Sequence, residues 1–80
     1  MAEVVLFASA RQAAGIASQQ IPGATVGTVL SAASALYGSH FADVLAISRV
    51  WINGEPVGKA RLEPCCDTDE IAVLPPISGG

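Results

Sequence analysis

Apolar and polar positions along this 80-residue chain follow two spacings in turn, and the change of spacing marks the elements. Glu3 to Ser9, EVVLFAS, is a short apolar run rich in β-forming residues and predicts a buried strand. Arg11 to Gly15 reads as a short helical turn stopped by glycine. Ile16 to Ile21 reads as a second, weaker strand ended by Pro22-Gly23. Then Val26, Val29, Leu30, Ala33, Leu36 and Tyr37 fall at offsets 0, 3, 4, 7, 10 and 11, the stripe of a one-faced helix. Thr25 suits its N-cap and Gly38 its C-terminal stop.

Beyond the helix, His40 to Ala46 reads as a short helix or loop. Arg49 to Ile52 alternates and leads into Asn53-Gly54, a hairpin signal. Val57 to Leu62 supplies the expected return strand, weakened by Gly58. Glu63 to Asp69 forms a polar loop, and Glu70 to Leu74 a last strand. The order ββαβββ predicts an α+β fold, a mixed sheet with one main helix packed across one face. Eighty residues hold one such domain, expected over residues 1–75, with 76–80 left as a flexible tail.

Charge narrows the function classes. Only 14% of residues are charged, the net charge is −3, and Arg11, Arg49, Lys59 and Arg61 form no basic run. That balance excludes a phosphate-binding surface and hence a nucleic-acid partner. So few charges leave apolar surface exposed, which marks partner sites. The uncharged stretch from Gln12 to Ala42 is broken by Gln19, Gln20, Pro22 and Gly23, short of the ~20 apolar residues a membrane span needs. The opening MAEVV has no basic region before an apolar block, so a cytoplasmic location is expected.

Candidate chemistry is sparse. Cys65 and Cys66 are adjacent, which gives at best a strained disulfide, and they read as reduced thiols beside a loop. With His40 the single histidine, no metal site is expected and no catalytic dyad. Asp67, Asp69 and Glu70 read as a solvated turn. The C-terminus is different. Ile71-Ala72-Val73-Leu74 runs into Pro75-Pro76, which favour a stiff extended geometry, and then into Ile77-Ser78-Gly79-Gly80. A Gly-Gly end can pass a narrow cleft with no Cβ to clash. Its carboxylate, with a pKa near ~3.5, is ionised and a poor electrophile until activated. Such an end suits a substrate for another protein's active site.

DEIAVLPPISGG at the end, VVLFASAR at the start and WINGEPV between them resemble the sulfur-carrier (small) subunit of molybdopterin synthase, along the whole chain and in order. That family is similar to ubiquitin in its β-grasp fold and Gly-Gly end. Two departures stand out. The turn reads Asp67-Thr68-Asp69-Glu70 where the family commonly has glycine second, and Gly27 sits early in the helix where a helix-former is usual.

The resemblance implies that an activating enzyme adenylates the Gly80 carboxylate with Mg-ATP, and that sulfur then replaces one oxygen to give a thiocarboxylate. No cofactor is bound by the chain itself. Pro76, Ile77, Ser78 and Gly79 are the implied inserted tail, and the implied partner is the large synthase subunit in a heterotetramer. Phe7 and Leu74 are the expected apolar anchors for that partner, on the sheet side away from the helix, with Arg11 at their rim. A carrier for thiamine or cysteine synthesis, and a ubiquitin-like modifier joined to lysines, share the fold and the activated end. An interaction module with an idle tail is the third alternative.

Overall fold

The computed structural model describes residues 1–58, 61 and 63–76. Five strands, β1 (Ala2–Leu6), β2 (Ser18–Ile21), β3 (Arg49–Ile52), β4 (Glu55–Pro56) and β5 (Glu70–Leu74), form one sheet in the order β2-β1-β5-β3-β4. Helices α1 (Ala8–Ala14), α2 (Val26–Tyr37) and α3 (Ser39–Ala46) connect them. β1 and β5 pair in parallel at the centre, and the other pairs are antiparallel. The expected mixed sheet is present; α2 is the expected main helix, and α1 and α3 stand where a short helical turn and a short helix or loop were expected.

Period-two alternation builds the sheet's inner face. Ala2, Val4 and Leu6 of β1, Ile21 of β2, Val50 of β3 and Ile71 and Val73 of β5 are all buried. Val26, Val29, Leu30 and Ala33 of α2 close over this layer, joined by Phe41, Val44 and Leu45 of α3 and Ala10 of α1. Leu36 departs from the expected stripe and is 58% exposed. Its offset puts it on the flank of the helix, away from the core. Tyr37 is half-buried, donates its hydroxyl to Gln19 at 2.6 Å and meets Phe41 edge to face at 5.1 Å.

The punctuation residues act as the sequence predicts. The Thr25 hydroxyl accepts the Thr28 amide at 3.2 Å, and the Gly38 amide donates to the Ser34 carbonyl at 2.9 Å. Gly15 ends α1 in the left-handed region, φ 77°. β1 stops at Leu6, earlier than the expected Ser9, because Ala8 takes φ 50° and turns the chain into α1. A left-handed alanine costs about 1 kcal/mol, so the turn is held by its surroundings. The Phe7 amide donates to the Val73 carbonyl, and the Phe7 carbonyl accepts from Ala10 and Arg11.

Gly27 has a use that helix propensity conceals. A Cβ there would lie 3.1 Å from the Arg61 carbonyl oxygen, which accepts the Gly27 amide at 2.9 Å. The Glu63 carbonyl likewise accepts the Val26 amide at 3.0 Å. Two donors left over at the start of a helix are thereby satisfied by backbone from the 61–65 segment. A third contact joins the Cys65 amide to the Ala24 carbonyl. Cys65 is buried and Cys66 exposed; burial and the nearby Asp69 carboxylate push the Cys65 thiol up. The expected return strand over 57–62 is shorter and earlier, Glu55–Pro56. Residues 59, 60 and 62 lie outside the described residues.

The two tight turns are joined. Asn53 and Gly54 both take positive φ, 51° and 82°, the geometry of a two-residue hairpin turn. The Asn53 side chain donates to the Asp69 carboxylate at 2.9 Å and accepts the Glu70 amide at 2.9 Å, so it ties the β3–β4 turn to the start of β5. The Asp67-Thr68 turn manages without glycine, since Thr68 keeps negative φ. It is closed by the Asp69 amide donating to the Cys66 carbonyl and by the Asp69 carboxylate accepting the Cys66 amide at 2.7 Å.

Asn53→Ala removes two hydrogen bonds and puts a Cβ-restricted residue at positive φ, so a loss of about 2 kcal/mol is expected. In a domain of this size that lowers Tm by about 10 °C; Asn53→Gly, which keeps the turn, should lose less. The Asn53 and Cys66 donors hold the Asp69 carboxyl below its usual range. The stability this contributes is complete above the ordinary carboxylate pKa of about 4 and is lost as pH falls through the lower folded value. Melting curves between neutral and acid pH should therefore fall less steeply for Asp69→Asn than for the wild type. Equal slopes would show that Asp69 carries no such linkage.

Candidate functional site

Among the described residues, nothing packs over the face of the sheet turned away from the helices. Strand register orders it into rows: Ser18, Val5, Ala72, Trp51 and Pro56 run across the middle, and Leu74 and Arg49 pair beside them. Val5, Ala72, Trp51 and Leu74 are half-buried, whereas Arg49 is exposed. Phe7 follows Leu6, the partner of Val73, so it stands next to Leu74; it is 43% exposed. Phe7 and Leu74 therefore share the face away from α2.

At the end of β5 a groove of about 300 Å³ opens between Ile47, Arg49, Trp51, Leu74, Pro75 and Pro76. Pro75 is buried and Pro76 exposed, so the chain is anchored up to Pro75. Ile47, 68% exposed just after α3, forms the outer wall. The groove brings Leu74 and Pro76 together but includes neither Phe7 nor Arg11. Arg11 lies in the last turn of α1, and Arg49 supplies the cation at this wall. Ile77, Ser78, Gly79 and Gly80 lie outside the described residues.

Ile47, Arg49 and Trp51 are the residues that reading the sequence for function missed. Trp51 and Arg49 had a signal: they alternate with Val50, which is buried, and so belong to the opposite face. Ile47 had none, because an apolar residue closing a helix reads as core. A second groove, about 330 Å³, opens on the helical side between Gly27, Leu30, Ser31, Ser34, Leu45 and Arg61. It brings no nucleophile to a base. Among the described residues no group of three His, Cys, Asp or Glu side chains could hold a metal ion, and no helix is long and apolar enough to cross a membrane.

An open, half-apolar sheet face beside a proline-stiffened exit suits a protein that presents its end to others. The profile of the ThiS family matches residues 4–80. The chain belongs to the ThiS family. Solved structures agree on the fold. The small archaeal modifier protein 1 from Haloferax volcanii is 30% identical with a TM-score of 0.84, covering 98% of this chain and 97% of its own. Its counterpart from Methanosarcina acetivorans is 31% identical with a TM-score of 0.77, covering 99% and 95%. A putative molybdopterin converting factor, subunit 1, from Pyrococcus furiosus is 25% identical with a TM-score of 0.79, covering 95% and 97%. No curated protein matches. This ThiS-family chain thus has the ubiquitin-like β-grasp fold of the sulfur carriers.

The open face yields a direct expectation. Phe7→Ala removes a side chain that is nearly half exposed, so its cost to the isolated domain should be about 1–2 kcal/mol, below the 3–5 typical of a buried phenylalanine. Leu74→Ala should behave similarly. Both should weaken complex formation more than they lower the melting temperature. If either unfolds the isolated domain, the residue belongs to the core and the face is misassigned.

Proposed function

We propose that this chain is a sulfur carrier for molybdenum cofactor biosynthesis, with the Gly80 carboxylate as its reactive group. The observation that carries the reading is the exit geometry: a central strand ends at a buried Pro75, and the remaining tail follows from the edge of an open apolar face. The body can dock while the slim end reaches past it into a partner's active site. An activating enzyme supplies Mg-ATP; the carboxylate oxygen attacks the α-phosphorus and pyrophosphate leaves. A sulfur nucleophile then displaces AMP at the acyl carbon, so a C–S bond replaces one C–O bond. The thiocarboxylate sulfur bonds to the pyranopterin precursor in the large subunit of molybdopterin synthase, in a heterotetramer, and water then cleaves the acyl C–S bond and regenerates the Gly80 carboxylate. Pro76, Ile77, Ser78 and Gly79 thread the channel, and Phe7, Leu74 and Arg11 meet the partner's surface. The chain acts as a consumed and recharged co-substrate in the cytoplasm, and the acid–base groups belong to its partners.

The Pro-Pro spacer and the likeness to the Pyrococcus furiosus protein favour the molybdopterin branch over carriers for thiamine or cysteine synthesis. A second reading is a modifier joined to lysines through the same activated end. Its support is the 30–31% identity to the two small archaeal modifier proteins. Both readings share the adenylation step, and only the second produces covalent adducts on target lysines.

Gly79→Val tests the threaded tail without altering charge or the carboxylate. A branched Cβ narrows both the fit and the reachable backbone angles. Misplacing a reacting group by ~1 Å costs on the order of 100-fold in rate, so at least a roughly tenfold slowing is expected, in a protein of unchanged melting temperature. Pyrophosphate release with the activating enzyme reads the first step. Single-turnover transfer from a chemically prepared thiocarboxylate reads the second. Wild-type rates in both would contradict a threaded tail.

A further inference from the structure

Asn53 is the chain's single asparagine, and a glycine follows it. An Asn-Gly pair carries a chemistry of its own. The glycine amide nitrogen, with no side chain to shield it, attacks the asparagine carboxamide carbon. The amide proton and the carboxamide nitrogen leave together as ammonia, and a succinimide ring forms. Water opens that ring to aspartate or isoaspartate. The net change turns a carboxamide and water into a carboxylate and ammonia, and no other reactant enters. Asn53 and Gly54 are both exposed, and a Cβ on Gly54 would meet nothing within 4 Å, so water reaches the turn freely.

Two features of the fold oppose each other here. The Asn53 carboxamide is held at both ends, donating to Asp69 and accepting the Glu70 amide, each at 2.9 Å. To swing onto the Gly54 nitrogen it must leave both partners. The hairpin that carries it is weak, however: β4 pairs with β3 only at Glu55 and Pro56 and lies at the sheet edge. Elements held by so few exposed bonds open locally while the rest of the domain stays folded. We propose that Asn53 is a site of spontaneous deamidation whose rate is set by its bonds to Asp69 and Glu70. The product undoes the clamp. The departing nitrogen is the one that donates to Asp69, so a second carboxylate then faces the first, and two carboxylates sharing a site repel. Isoaspartate also adds a backbone carbon to a two-residue turn. The damage falls at the start of β5, whatever use the tail is put to.

The test incubates the full chain at physiological temperature and mildly alkaline pH and follows it by intact mass and peptide mapping. The wild type should gain the mass of one deamidation, at residue 53, and in heavy-oxygen water the new carboxylate should carry one labelled oxygen. Folded, it should convert at least roughly tenfold more slowly than the same chain in urea, the worth of two net hydrogen bonds. Asp69→Ala, at a temperature where its circular dichroism is native, should convert about fivefold faster than the folded wild type, for the one bond lost. Asn53→Asp should melt below the wild type. Equal rates for the folded and the urea-unfolded wild type, a comparison that needs no variant, overturn the role of the clamp. So does a folded Asp69→Ala chain that converts no faster. No mass gain at residue 53, over a time in which the urea-unfolded chain converts fully, overturns the site itself.

Discussion

The parallel pairing of the first and last strands is the constraint from which the rest of the molecule follows. Parallel neighbours cannot be joined by a tight turn, so everything between β1 and β5 must cross over and return. That crossover holds α2 and α3, which bury the inner face, and the β3–β4 hairpin, which extends the sheet on the far side. Because β5 is central, its backbone is bonded on both sides, to β1 and to β3. The last strand is thus held from both sides and runs into a buried Pro75.

The covering of the sheet is one-sided, and that asymmetry separates stability from recognition. The helices take the inner face, with Phe41, Leu6, Leu30 and Ile71 fully buried. The outer face keeps apolar side chains half in solvent, where they add little to the core and remain available to a partner.

Much of this was legible in the sequence where local chemistry is decisive. Thr25 and Gly38 bounded α2, Asn53-Gly54 marked the hairpin, and Pro75-Pro76 marked the exit. Legibility failed where a distant contact decided the outcome. Gly27 reads as a poor helix residue until the Arg61 carbonyl is seen against it. The strand after the hairpin was expected from Val57, whereas β4 pairs at Glu55 and Pro56, directly after the turn. Ala8 gives no sign that it will adopt positive φ; the bonds that hold Phe7 on either side impose it. At the site, Leu74 and Phe7 could be named from their strands. Of the groove wall, Arg49 and Trp51 carried the alternation of their strand, whereas Ile47 gave no sign, and the groove itself exists only once β3 lies beside β5. Membership of the ThiS family leaves the sulfur-carrier branches and a modifier side by side, and the choice among them lies in the partners.

Intact-mass measurement of the chain purified from cells tests the central claim most directly. The account predicts a fraction heavier by one oxygen-to-sulfur exchange, located at Gly80 by fragmentation and lost when Gly80 is removed. A chain found only as the free carboxylate under conditions of active cofactor synthesis, or only as an adduct on lysines, would contradict it.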